Sequence, residues 1–513
     1  MDKDPGVIAP DPQPDPPEIA GMDRLLQGST LYLIGNLAFK AVGFVMIPFY
    51  ARYLSTDEYG VLNLLELATS IVAITFGLSS LGQSLVRIYH DHADDADRRA
   101  VVSTALIGTF VLAGLVVLFG VAFAAPIARA INIGGQASLL RLAFAAMFFS
   151  SVGEMVLVYE RIHNRARFYL VYSLITLCAT LSLNIALIGW WRQGVYGFVF
   201  SKLVVTTLGC LFLLTRTLRE VGIAWRAPIA RALLRFVGPL VVSGLCYFAI
   251  HFADRLFLAQ VSRADVGVYA LVYTFAFQLS ALIGDSFSKS WGVSFYSYAS
   301  GDGWQDRFVQ VGRWLVFVLG AGSIGIALFG RDFLVLMVPA SYDPPKLLLP
   351  VLVFGYFLRE VGDFFNSILL IGSGSGLVGR IAVFGAVLNM ALNAVLIPVF
   401  GIWGAAWATF GTWAAYCVVC WVAAWRLRGV AMPPAPLGVI LLLSALCLAA
   451  QFLWAGAAPV VGLALDCVAF AAFLLLGAVV YLRRPERKDA LIFARRGLDY
   501  ITRQRHLFGK NLN

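Results

Sequence analysis

The chain has 513 residues, 60% of them hydrophobic and 13% charged, with a formal net charge of +10. A mean hydropathy of +0.81 is more than a soluble core can bury, which excludes a string of globular domains. A bilayer takes that apolar surface as solvent, so the composition describes a polytopic membrane protein.

In chain order, the first segment is residues 1–23, which interleave Pro5, Pro10, Pro12, Pro14, Pro16 and Pro17 with aspartates and contain no apolar run. That composition buries too little surface to fold and reads as a disordered cytoplasmic tail. It lacks the basic start and apolar stretch of a cleavable signal, so the first helix is expected to direct insertion. A membrane helix needs about 20 mostly apolar residues. Such runs fall at 29–50, 59–86, 101–125, 138–159, 168–191, 195–215, 236–258, 267–288, 310–330, 347–370, 380–399, 402–425, 436–455 and 460–482. The expected fold class is therefore all-α, with about 14 transmembrane helices joined by short loops. Arginines such as Arg98, Arg99, Arg161, Arg165, Arg167, Arg216 and Arg226 crowd alternate loops, which predicts both termini on the cytoplasmic side. The basic tail, 483–513, suits anionic headgroups, and charge alone gives no support for a nucleic-acid partner.

Two landmarks repeat at one offset. Ser55, Glu58, Gly60 and Val61 in "LSTDEYGVL" match Ser262, Asp265, Gly267 and Val268 in "VSRADVGVY", each 207 residues later. Gly194 and Gly197 match Gly401 and Gly404 at the same spacing, after Leu-Asn pairs at 183–184 and 392–393. Spans 1–6 and 7–12 thus read as two copies of one unit. An even number of spans per copy makes the repeat parallel. The expected organisation is an N-lobe at 24–220, a C-lobe at 221–430 and two further helices at 431–482. The Ser-x-x-acid pairs fit capping boxes that open the second helix of each copy.

A charge at the bilayer centre costs at least about 2.5–3.5 kcal/mol on insertion scales, so deep charges are candidate functional residues. The cations Lys40, Lys202, Arg255 and Arg359 are candidates for binding substrate. The acids Glu66, Glu154, Asp254, Asp285 and Asp363 are candidates for coupling Na⁺ or H⁺. Arg359 and Asp363 are four apart and able to pair on one helix face. At the 207 offset, Lys40 corresponds to Tyr247 and Lys202 to Thr409, so the frame repeats while its charges do not. Three other patterns carry little. Gly374–Gly379 satisfies GxGxxG but follows a membrane helix rather than a strand. "HDHADDAD" at 90–97 is a solvated loop, and the Cys417/Cys420 pair lies inside an apolar helix with no second pair to complete a metal site. No nucleophile–base constellation suggests catalysis, so the chain reads as a transporter rather than an enzyme, with no cofactor beyond a coupling ion.

The stretch "LLQGSTLYLIGNLAFKAVGFVMIPFYARYLSTDEYGVLNLL", with "FADRLFLAQVSRADVGVYALVYTF", "PASYDPPKLLLPVLVFGYF" and "LNMALNAVLIPVFGIWGAAWAT", resembles the bacterial polysaccharide transport family. That family holds the Wzx-type lipid-linked oligosaccharide flippases of the multidrug/oligosaccharidyl-lipid/polysaccharide exporter superfamily. The resemblance implies V-shaped six-helix lobes in the bacterial inner membrane, with two extra helices that help house a lipid tail. It implies alternating-access movement of a polyprenyl-pyrophosphate-linked oligosaccharide, with membrane lipids and other polysaccharide assembly proteins as partners. Within the superfamily, a cation-coupled multidrug exporter and a lipid II flippase are the alternatives. A membrane-embedded oligosaccharide polymerase fits less well, since the chain lacks a large loop to carry its catalysis.

Overall fold

The computed structural model describes residues 46–92, 94–163, 165–279, 304–369, 375–430, 435–453 and 459–481, together with 284, 287, 291 and 432. Among the described residues every regular element is helical. Helix α1 (46–53) is the end of the first expected span, whose earlier part lies outside the described residues. Then follow α2 (Thr56–Thr75), α3 (Leu81–His90), α4 (Asp95–Ala122), α5 (Ala124–Ala130), α6 (Ala137–Ile162), α7 (Ala166–Asn184) and α8 (Gly194–Val221). The second half contributes α9 (Ala227–Leu258), α10 (Arg263–Leu279), α11 (Trp304–Met337), α12 (Leu348–Leu369), α13 (Ser375–Phe400) and α14 (Ile402–Arg428). The chain closes with α15 (Ala435–Leu453) and α16 (Pro459–Tyr481).

Nine of the described helices are long and apolar enough to cross a bilayer, and two shorter apolar stretches, Leu437–Ala449 and Val461–Gly477, lie in α15 and α16. Helix α12 also has the length and the apolar composition, but carries three charges close together, Arg359, Glu360 and Asp363. The second expected span, 59–86, is not continuous. Gly77 adopts φ 77°, a left-handed conformation that only glycine takes cheaply, and it ends α2 before α3 begins.

The repeat is visible in local chemistry. Ser55 Oγ accepts the Glu58 N–H at 3.2 Å, and Glu58 Oε2 accepts the Ser55 N–H at 2.8 Å. This capping box satisfies backbone groups that would otherwise be orphaned at the start of α2. Ser262 Oγ likewise accepts the Asp265 N–H at 3.1 Å at the start of α10. The second landmark repeats too, since Gly194 and Gly401 both turn the chain with positive φ, 53° and 55°. The asparagines before them, Asn184 and Asn393, are both buried in their helices.

Packing follows the same symmetry. Helix α6 lies against α8 in the first half, and α12 lies against α14 in the second. Helix α4 packs on α6 as α11 packs on α12. The C-terminal pair, α15 and α16, packs on α11, outside both repeats. The halves meet where α2 crosses α10, and again where α9 packs on α2, α3 and α4. A methyl group on Gly60 would overlap the Arg263 carbonyl, and one on Gly267 would overlap the Thr56 carbonyl. Those contacts map onto each other at the 207 offset, so a pseudo-twofold axis passes between the two glycines. Around the crossing, Arg263 pairs with Asp57 at 2.9 Å, and the Tyr342 hydroxyl donates to the carbonyls of Leu54 and Ser55 at 3.0 and 2.8 Å. Asn132 Nδ2 donates to the Ala259 carbonyl, and Gln260 Nε2 to the Ala130 carbonyl. One end of the seam between the halves is therefore closed.

Candidate substrate cavity and buried charges

A cavity of about 550 Å³ opens inside the first half, walled by α2, α3, α6 and α8. It begins below the closed seam. Ten residues of helix from Thr56 to Glu66 span about 15 Å, roughly half the hydrocarbon thickness. From there the cavity runs to Gln83 and Arg161 at the other end of the bundle. Its charged side chains come from three helices. Lys202 Nζ of α8 donates to Glu66 Oε1 of α2 at 3.1 Å. Arg161 donates to Glu154 on the same face of α6 at 2.9 Å, seven residues and two turns away. Lys202 and Glu66, which the sequence suggested for different duties, thus meet as one half-exposed pair. Glu154 lies on the same cavity wall. Lys40 and Asp285 lie outside the described residues.

The second half carries a separate, more deeply buried network. Asp254 of α9 is 1% exposed and accepts the Tyr269 hydroxyl of α10 at 2.6 Å. It also accepts Thr409 Oγ1 of α14 at 3.4 Å and the Arg255 N–H at 2.8 Å. The Arg255 guanidinium lies 4.3 Å from the Tyr273 ring and 5.4 Å from that of Phe252. Its Nε is buried with no hydrogen-bond partner. On α12, Arg359 joins Glu360 at 3.1 Å and Asp363 at 3.4 Å, so the expected i,i+4 pair forms. Asp363 also accepts the Tyr416 hydroxyl at 2.7 Å.

The two halves use equivalent positions differently. The residues 207 after Glu66 and Lys202 are Tyr273 and Thr409. Tyr273 donates to the His251 backbone carbonyl at 2.6 Å, while Thr409 serves Asp254. The same frame therefore encloses a cavity lined by charged pairs in one half and a buried hydroxyl–carboxylate network in the other. Sequence reasoning did not single out Arg161, Gln83 or the serines of the cavity wall. The Glu154–Arg161 spacing, which puts both groups on one helix face, was the signal available for the pair. His251 and the Tyr273–Tyr356 hydroxyl pair around it were also missed, because aromatic residues in an apolar helix look like core.

Residues 49–300 match the profile of a family described as polysaccharide biosynthesis protein. Among curated relatives, a Lsg locus putative protein 1 from Haemophilus influenzae is 21% identical, over 65% of this chain and 85% of its own. An uncharacterized membrane protein from the same organism is 25% identical over 50% of this chain, which spans 62% of the relative's length. Among solved structures, the fold is similar to a lipid II flippase MurJ in an inward closed conformation, with TM-score 0.69 and 11% identity. That match covers 89% of this chain and all of the other. It is also similar to an inward-facing multidrug resistance MATE family transporter of the MOP superfamily, with TM-score 0.58 and 15% identity. There the match covers 74% of this chain and 92% of the transporter. At such identities the likeness is one of fold. The family match and the likeness of fold agree on a multi-pass helical membrane protein similar to polysaccharide biosynthesis proteins.

Proposed function

We propose that this protein flips a polyprenyl-pyrophosphate-linked oligosaccharide across the bacterial inner membrane by alternating access, for synthesis of a surface polysaccharide. The observation that carries the reading is the cavity of about 550 Å³ with four charged side chains in its wall, which reaches mid-membrane depth within an apolar bundle and stops below a closed seam. With both termini cytoplasmic, the seam end faces the periplasm and the cavity is reached from the inner leaflet, where a lipid-linked sugar is built. A pyrophosphate needs a desolvated cation. Arg255 fits this part, because among the described residues its guanidinium forms no ion pair and its Nε has no partner. Lys40 is the second candidate, by its depth in the first span. Lys202 and Arg359 are already balanced by acids and are the weaker phosphate ligands. Asp254, buried among hydroxyls, is the favoured group for coupling Na⁺ or H⁺, ahead of Glu66, Glu154 and Asp363, which are held in ion pairs or by Tyr416, and of Asp285. Membrane lipids and other polysaccharide assembly proteins are the expected partners, with no further cofactor and no enzymatic step.

The test is reconstitution in liposomes with a labelled polyprenyl-pyrophosphate sugar, following leaflet exposure for wild type, Lys40→Ala and Arg255→Ala. Translocation by wild type that is lost in either variant supports the reading. Efflux of a cationic dye with no sugar-lipid translocation replaces it with the multidrug exporter.

A further inference from the structure

We infer that the cavity of the first half is a subsite for the uncharged sugar units of the substrate, and that the pyrophosphate is held elsewhere. This assignment rests on the flippase reading above and adds to it the class of glycan and its place.

Charge is the first argument. The charged residues of the wall are Glu66, Glu154, Arg161 and Lys202, two acids against two bases. Both bases are already engaged by both acids at 2.9–3.1 Å. A phosphate entering this space meets no unbalanced cation and faces two carboxylates, whose repulsion grows as water is excluded. A uronate or sialate carboxylate suffers the same conflict. The second argument is hydrogen-bonding capacity. Ser70, Ser79, Gln83, Ser150 and Ser151 line the cavity, and among the described residues none of their side chains makes a hydrogen bond. Five uncommitted polar side chains gathered from α2, α3 and α6, and the turn between the first two, are costly to a membrane bundle unless something wet or hydroxylated meets them. Sugar hydroxyls both donate and accept, which is the pairing a serine hydroxyl, an amide and a salt-bridged carboxylate all offer. The third argument is shape and surface. The remaining wall, including Leu65, Met147, Met155 and Phe198, is apolar and suits the C–H faces of a pyranose. A site of this volume buries a drug-sized ligand, which for a glycan means about two rings.

The residues that set this preference are the Glu66–Lys202 pair and the row of serines. Lys202 then acts as a hydrogen-bond donor to a sugar, held in place by Glu66, instead of as a counter-charge to phosphate.

Saturation-transfer NMR on the purified full chain in lipid nanodiscs tests the assignment, with maltose and N,N′-diacetylchitobiose as neutral probes and inorganic pyrophosphate as competitor. Wild type is expected to transfer saturation to at least one disaccharide, and pyrophosphate is expected not to displace it. The double variants Glu66→Gln/Lys202→Met and Gln83→Ala/Ser151→Ala, checked for unchanged unfolding temperature, should each weaken the signal by about five-fold or more per lost hydrogen bond. The second variant removes no charge, so it tests the site even where the first fails to fold. Displacement by pyrophosphate, or signal unchanged in a folded variant, overturns the assignment. A protein that flips labelled sugar lipid in vesicles yet binds neither disaccharide loses only this inference. A protein that flips no sugar lipid loses the flippase reading itself.

Discussion

The Gly60–Gly267 crossing gives the sharpest perturbation of the closed seam. In Gly60→Ala the new methyl overlaps the Arg263 carbonyl and lies 3.3 Å from the Gly267 nitrogen. Both neighbours are backbone, so no side chain can swing aside, and α2 and α10 must separate by on the order of 1 Å to restore normal contact. Overpacking of this kind costs about 1–3 kcal/mol. At 1.4 kcal/mol per factor of ten, the closed state loses about 5- to 150-fold against any state in which the seam is apart. Gly267→Ala should act alike, because the contact is reciprocal. Gly238, with nothing within 4 Å of its missing Cβ, is the neutral control. Spin labels at Arg192→Cys and Phe400→Cys, on exposed tips of the two halves at the seam end, report the separation in a background lacking the seven native cysteines. The distance distribution should gain a longer component in Gly60→Ala and Gly267→Ala and not in Gly238→Ala. Distributions identical to the parent in both seam variants, with unchanged unfolding temperatures, would refute the claim that this crossing closes the seam.

Tyr342→Phe removes one hydroxyl shared by the Leu54 and Ser55 carbonyls and should weaken the same seam by about 1 kcal/mol, a smaller long-distance population in the same assay. Arg263→Ala breaks a half-exposed pair with Asp57 and should matter less still, by under about 1 kcal/mol, with any effect fading at high salt. Ser55→Ala removes the cap of α2 and should destabilise the protein by about 0.5–2 kcal/mol, read as a lower unfolding temperature that Ser55→Asp largely restores. Asp254→Asn keeps the shape of the buried network but removes its charge. Transport driven by an imposed Na⁺ or H⁺ gradient should become independent of that gradient, and full gradient dependence in this variant would exclude Asp254 from coupling.

Much of the site could be located along the chain but not assembled from it. Lys202, Glu66 and Glu154 stood out because charge in an apolar run is expensive wherever the helix goes. That Lys202 and Glu66, 136 residues apart, neutralise each other depends on α2 and α8 facing one cavity. The serines of that wall gave no signal, since an isolated serine in a membrane helix usually bonds its own backbone. The break at Gly77 lay under an apolar average that ran straight through it.

By itself, the sequence determined the class of protein, the order of its helices, their caps and the duplication. Those follow from solvent preference and local backbone chemistry, which act over a few residues and are written in composition, spacing and repeat. Tertiary structure alone decided which copy holds the charged cavity and which the buried network. It also decided which cations are balanced and where the two halves touch. The physical reason is that a side chain's hydration and charge balance depend on neighbours from other helices, and nothing in its own segment names them.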